Sequence, residues 1–284
     1  MNKPKDEPGL QTILSHCGRN LEASGGYVNV PPYEGSTILH DDMEDLFGRV
    51  DNHLYGDGTA QTYGTDGGPT HEAFYDAMNK LEGGAGTWAF STGLAGCTIP
   101  MMAFLKTGDH MLVTDSVYGP TRQFCEVLLK NFGVEAEFYE PTIGAGIEKL
   151  IRPNTRLIYM ESPGTHTFEM QDVPAIAAVA RKYNIVTMID NTYATPLNFQ
   201  PLKHGVDVVV HSATKYICGH SDVLMSTVTC NEKTWKQVRD VCKMTGQYAS
   251  AQSVYLGLRG LRTLKVRLDA VGVHTRKVVD WLLK

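Results

Sequence analysis

Residues 208–216 read Val208-Val209-Val210-His211-Ser212-Ala213-Thr214-Lys215-Tyr216, three successive β-branched residues followed by two hydroxyls and a lysine. A valine run without polar alternation fits a strand covered on both faces, as in a parallel sheet packed between helices. A lysine just past such a strand is expected where an ammonium is poorly solvated, the setting of a nucleophilic amine. The plainer alternative is a lysine whose stem lies along the core while its head reaches water.

Upstream, Ile185-Val186-Thr187-Met188-Ile189-Asp190-Asn191 repeats the pattern and ends on a carboxylate. Ligands of open parallel α/β sheets bind outside the carboxyl ends of the strands, so Asp190 and Lys215 are expected to converge. Pyridoxal phosphate needs this pair: a lysine to hold its aldehyde covalently, and an acid opposite the pyridine nitrogen that keeps the ring protonated and electron-accepting. Opposite charges about 4 Å apart interact by roughly 4 kcal/mol at an effective dielectric of 20, which moves the pKa of the ring nitrogen by about three at 1.36 kcal/mol each.

With 284 residues, 42% apolar and 20% charged, the chain has ordinary globular composition and room for one large α/β domain plus a smaller appendage. Its net charge of −5 argues against a general binder of nucleic acid or anionic membrane. Residues 83–105 carry no charge, but they hold five glycines, Pro100 and four Ser or Thr, which disfavours a membrane span. Six cysteines without a C-x-x-C pair, and no secretory pattern at the polar start, fit reduced thiols in a cytoplasmic protein.

Along the chain, the first sixty or so residues are rich in Gly, Pro and Asp and lack a sustained helical period, which reads as an extended arm. From residue 70 helices and strands alternate. Helix is expected over 71–81, strand over 87–90, an uncharged helix from 93 to 106, strand over 110–115, helix over 121–131, and strands over 134–139 and 157–161. Asp172-Val173-Pro174 opens a further helix with an N-cap acid and an early proline, and Val173, Ile176, Ala177 and Ala180 form its buried face. Such alternation predicts stacked βαβ units and a mostly parallel sheet. Residues 261–283 read as a long amphipathic helix interrupted at Gly272.

The turn Ser91-Thr92-Gly93 between strand and helix offers a phosphate the free amides of a helix start, and Gly93 permits close approach, although many such turns bind nothing. Ser212 and Thr214 add hydroxyls beside the lysine. No G-x-G-x-x-G follows a strand and no G-x-x-x-x-G-K-[ST] occurs. His71-Glu72 lacks the second histidine of a zinc-protease helix, Tyr75 standing in its place, so no metal site is expected. His166, His211 and His220 lie near the motif strands and read more readily as hydrogen-bonded neighbours than as catalysts.

Several blocks now join in order: Tyr63-Gly64, Leu81-Glu82-Gly83-Gly84-Ala85, Asp115-Ser116-Val117-Tyr118, Glu161-Ser162-Pro163-Gly164, Ile189-Asp190-Asn191-Thr192, Ser212-Ala213-Thr214-Lys215-Tyr216 and Gly219-His220-Ser221-Asp222. With them the chain resembles, from about residue 10 onward, the pyridoxal-phosphate-dependent Cys/Met metabolism enzymes. The resemblance implies the aspartate-aminotransferase type fold (fold type I). It implies Lys215 as the Schiff-base lysine, Asp190 as partner of the pyridine nitrogen and Tyr118 stacked on the ring. The Gly93 and Leu94 amides with Ser212 and Thr214 would hold the phosphate. Tyr63 would reach it from a neighbouring subunit of a homodimer or homotetramer. Three domains are expected: an arm over 1–62, a cofactor-binding domain over 63–258, and over 259–284 the start of a helix linking to a C-terminal domain that is largely absent.

The sequence departs from the family pattern in three places. Many members carry an arginine phosphate ligand where this chain has Thr65. Members acting at the γ-carbon often have Asn where Thr165 stands, which favours β-elimination. Family chains also continue into a domain with the arginine that clamps the substrate carboxylate. The implied activity is a carbon–sulfur lyase on an amino acid such as cystathionine, with a γ-acting relative, or a cofactor-binding chain without turnover, as alternatives.

Overall fold

The computed structural model describes residues 8–22, 24–56 and 58–284. Among them seven strands form one sheet: β1 (Gly86–Phe90), β2 (His110–Thr114), β3 (Glu135–Tyr139), β4 (Thr155–Glu161), β5 (Val186–Asp190), β6 (Val208–His211) and β7 (Ser226–Cys230). Their spatial order is β1-β7-β6-β5-β4-β2-β3. Strands β2 to β6 pair in parallel, and β7 runs antiparallel between β1 and β6. Six of the seven strands therefore point the same way and release their carboxyl ends at one edge.

Helices cover both faces, as the unbroken apolar strands require. In chain order they are α1 (Leu10–His16), α2 (Met43–Tyr55), α3 (Pro69–Glu82), α4 (Gly93–Thr98), α5 (Gly119–Gln123), α6 (Val173–Lys182), α7 (Thr195–Asn198), α8 (Glu232–Met244), α9 (Ala251–Leu261) and α10 (Leu264–Leu282). Alternate residues of each strand enter opposite cores. Val208 and Val210 pack with Met188, Tyr159 and Val238 of α8, whereas Val209 packs with Ile189, Ile158 and the Val173, Ile176 and Ala177 face of α6. A third core joins Leu14 of α1, Phe74, Met78 and Leu81 of α3, and Val254 and Leu258 of α9.

The expected elements depart from the structure in four places. The first 62 residues are not free of helix: α1 buries Leu14 beside α3, and α2 is capped by Asp42, whose carboxylate accepts the Asp45 amide. The uncharged helix from 93 ends at Thr98 and continues only as a 3-10 turn over Ile99–Ala103, because Pro100 has no amide to donate and crowds the preceding turn. Helix α5 widens into a π-type turn over Phe124–Leu129. Gly272 does not interrupt α10, which is continuous from Leu264 to Leu282; one glycine in a helix costs only about 1 kcal/mol relative to alanine.

A buried contact ties the end of β6 to the end of α3. His211 Nε2 lies 2.5 Å from Glu82 Oε1, and both side chains are fully enclosed. The contact fixes the start of the 212–215 turn against the helix. Glu82→Ala leaves the His211 ring without this partner in the core, and a buried polar group so abandoned costs about 1–3 kcal/mol. Urea denaturation of the variant is expected to show a loss of at least this size; an unchanged midpoint would mean that the contact contributes nothing to stability.

Candidate active site

The strand ends build a cleft of about 560 Å³ lined by residues from the turns after β1, β2, β4, β5 and β6. Lys215, Asp190, Tyr118, Gly93, Leu94, Ser212 and Thr214 all contribute to its wall. The parallel topology brings them together from positions more than a hundred residues apart.

Asp190, the last residue of β5, is buried at the floor. Its Oδ1 accepts the Thr192 amide at 2.9 Å, and Cys97 Sγ donates to its Oδ2 at 3.5 Å. Thr192 Oγ1 in turn accepts the Ser212 amide at 2.7 Å, so the ends of β5 and β6 are stitched into one unit. Burial, and then the charge of Asp190, pushes the Cys97 thiol well above its usual range, which makes it a neutral donor and not a nucleophile.

At the wall formed after β1, Thr92 caps α4 by accepting the Ala95 amide at 3.2 Å. The Gly93 and Leu94 amides are the first of the helix and have no carbonyl within it to bond. A Cβ on Gly93 would lie 2.5 Å from Ser212 Oγ, so glycine leaves a cradle bounded by two amides and a hydroxyl. Thr214 also lines the cleft, but its Oγ1 is engaged by Met225, accepting the Met225 amide at 3.0 Å and donating to the Met225 carbonyl at 3.2 Å.

One side chain differs from the sequence expectation. Lys215 is exposed and not poorly solvated, because β6 ends at His211 and the turn that follows carries the lysine to the mouth of the cleft. Its amide donates to the Ser212 carbonyl at 3.0 Å, which closes that turn. Tyr63 does not line the cleft; it stands half exposed in a separate recess with His53, Asp66, Trp88 and Lys243. Thr65 shares that recess. Tyr118 is 44% exposed at the cleft rim. His211 is taken up by Glu82, while His166 lines the cleft. Among the described residues no group of three or more His, Cys, Asp or Glu is arranged to hold a metal ion.

Glu161 is a buried side chain lining the cleft to which the strand pattern gave no role. It ends β4 as Asp190 ends β5, and the two residues are register partners on adjacent parallel strands. Its Oε2 accepts the Tyr118 amide at 2.8 Å, and Thr165 Oγ1 donates to its Oε1 at 2.5 Å. Burial, together with the neighbouring Asp190 charge, pushes its carboxyl up to about 8. The signal was present: a carboxylate closing an apolar strand, the same feature that marked Asp190.

A family model described as Cys/Met metabolism PLP-dependent enzyme matches residues 11–284. The chain belongs to this family. It is 39% identical over 275 residues to the cystathionine beta-lyase MetC of Escherichia coli K12, covering 96% of this chain and 69% of that protein. The crystal structure of cystathionine gamma-lyase from Lactobacillus plantarum, complexed with L-serine, superposes with a TM-score of 0.89 at 29% identity, covering 98% of this chain and 69% of that one. A structure from Campylobacter jejuni that carries a pyridoxyl-lysine phosphate superposes with a TM-score of 0.90 at 25% identity, over 98% of this chain and 76% of that one. The chain thus spans roughly two thirds to three quarters of the length of these relatives. The fold is that of the fold type I pyridoxal-phosphate enzymes, and the family's cofactor is pyridoxal 5'-phosphate.

The residues present fit this cofactor: a buried acid at the floor, a glycine cradle with free amides for the phosphate, and an amine at the mouth. Gly93→Val fills the cradle and displaces Ser212 Oγ. Hydrogen bonds to a charged group are worth about 1.5–3 kcal/mol, so affinity for pyridoxal 5'-phosphate is expected to fall at least about tenfold. Absorbance titration checks this, and an unchanged affinity would move the phosphate elsewhere.

Proposed function

We propose that this chain is a pyridoxal-phosphate-dependent carbon–sulfur lyase that carries out β-elimination on cystathionine or a cysteine-type amino acid, releasing a thiol, ammonia and pyruvate. The observation that carries the reading is the convergence of Asp190, Lys215 and the Gly93–Ser212 cradle on one cleft at the carboxyl ends of the parallel strands. Family membership and the beta-lyase relative support the same reaction class.

When bound, the cofactor supplies an electron sink that accepts the pair released as the substrate's α-carbon loses its proton. The work of the protein's own groups follows from their positions. Asp190, a carboxylate held in place by Thr192 and Cys97, would face the ring nitrogen and keep a proton on it. The Gly93 and Leu94 amides and Ser212 Oγ would hold the phosphate, and Thr214 lines the same wall. Tyr118 would cover the ring from the rim. Lys215 Nζ would anchor the cofactor, take the α-proton and return it to the departing sulfur. Its exposed position leaves the amine free to swing between these tasks.

Tyr63 is half exposed and outside its own chain's cleft, which supports a role in the cleft of a second copy, within a homodimer or homotetramer. In this reading residues 1–62 act as the arm, 63–258 bind the cofactor and 259–284 form the linking helix. None of the helices among the described residues is long and apolar enough to cross a membrane, and a cytoplasmic place suits six unpaired cysteines. The likeness to a gamma-lyase structure favours γ-elimination as the second reading; Thr165, hydrogen-bonded to Glu161, is the residue that leans toward the β-carbon.

Borohydride reduction of the loaded protein, followed by peptide mass mapping, is expected to leave a pyridoxyl group on Lys215; a group on another lysine contradicts the assignment. Asp190→Asn cannot balance a pyridinium charge and is expected to lower pyruvate release by orders of magnitude. Wild-type release from that variant would reduce Asp190 to a structural role.

A further inference from the structure

Glu161 and Asp190 are buried neighbours, yet none of the ion pairs among the described residues involves either of them. Two carboxylates closing adjacent strands without a cation cannot both ionise cheaply. Their surroundings decide which one keeps the charge. Asp190 receives the Thr192 amide, which can only donate, and the Cys97 thiol, a weak donor whose sulfur is a poor acceptor. Glu161 meets the backbone of Tyr118 and of Thr165 and also the Thr165 hydroxyl, an oxygen that can accept a hydrogen as well as donate one.

We propose that Glu161 serves the cofactor site as a neutral acid, a positioning residue: the Thr165 hydroxyl, which donates to Oε1 of the ionised carboxyl, turns to accept the hydrogen of the neutral one, Oε2 accepts the Tyr118 amide, and Asp190 carries the charge of the pair. The proposal rests on the reading that Asp190 faces the ring nitrogen. It assigns Glu161 two tasks. It ties the loop carrying Tyr118 and the loop carrying Thr165 to β4, and it does so without adding a second negative charge to the floor. The two loops also touch each other: the Thr165 amide donates to the Ser116 carbonyl at 2.8 Å, and a Cβ on Gly164 would lie 2.3 Å from Ser116 Oγ. Glu161 thus closes a small ring of contacts that holds Tyr118 at the rim.

The groups facing Glu161 are Asp190 on β5, Cys97 on α4, Tyr159 on β4 itself, the Tyr118 amide and the Thr165 hydroxyl. Burial pushes both Cys97 and Tyr159 upward, so neither changes charge across the neutral range. Glu161, ordinarily near 4.5, is raised to about 8. Below 4.5 the carboxyl is protonated in folded and unfolded chains alike, and its contribution to stability is fully present. Between 4.5 and about 8 the unfolded chain releases the proton while the folded chain keeps it, so stability falls as pH rises; above that the loss is complete.

Glutamine reproduces the neutral acid, accepting through Oε1 and donating through Nε2, but cannot titrate. The test is thermal unfolding of the full chain, without added cofactor, from about pH 5 to about pH 9, for wild type and Glu161→Gln. Pyridoxal 5'-phosphate affinity at neutral pH is then compared for wild type, Glu161→Gln, Glu161→Ala and Asp190→Asn. The stability gap between Glu161→Gln and wild type is expected to widen in favour of glutamine up to about pH 8 and then to level. Cofactor affinity is expected to stay within about threefold for Glu161→Gln and to fall at least about tenfold for Glu161→Ala. A gap that is flat with pH, or a Glu161→Gln variant as weak as Glu161→Ala, overturns the proposal. If Asp190→Asn weakens binding in that same experiment, only the role of Glu161 is lost; if Asp190→Asn binds like wild type, the reading of the site itself fails and the proposal with it.

Discussion

Strand direction is the constraint on which the rest depends. Because β1 and β2 to β6 run the same way, the residues that follow them emerge at a single edge, and chemistry scattered from residue 92 to residue 215 becomes local. The strands can be buried on both faces because helices cover each side, and this burial leaves their polar ends as the natural places for function. Strand β7 serves the same arrangement from the opposite direction. Its first residue, Ser226, pairs with Phe90 at the edge where the cleft opens, and Ser226 Oγ donates to the Thr92 carbonyl at 2.7 Å, so the start of the 91–93 turn is held by the antiparallel strand.

The floor of the cleft shows how a low-polarity site sorts its charges. Asp190 gathers donors, burial and the neighbouring Asp190 charge raise the Glu161 carboxyl against its own donors, and Cys97 is kept a thiol. Each of these effects has the same origin, the cost of taking a second negative charge out of water. Lys215 lies outside that environment. Three residues of turn separate it from the end of β6, and they trade desolvation of the amine for reach.

Much of this was legible in the residues. Unbroken apolar runs announced β5 and β6, the acid at the end of β5 announced the floor, and Gly93 at a strand-to-helix turn announced the cradle. Strand β7 was hidden because Ser226, Thr227 and Thr229 are buried polar residues, with the Thr229 and Thr87 hydroxyls 2.8 Å apart, so the segment shows no apolar run. Helix α1 spans two turns and α2 buries no residue, so neither shows a core-facing stripe long enough to stand out against the surrounding Gly and Pro. The order of strands was not legible at all, since it depends on which helix crosses which face. With it went the adjacency of Glu161 and Asp190, and so the role of Glu161.

The central claim is that the edge where the strands end is the cofactor site. A crystal structure of the chain grown with pyridoxal 5'-phosphate tests it most directly. The account predicts continuous density from Lys215 Nζ to a ring whose nitrogen faces Asp190, with the phosphate between the Gly93 amide and Ser212 Oγ. A ring seated elsewhere, for example in the neighbouring groove beside Arg267 and Ser221, or a phosphate away from Gly93, would contradict it.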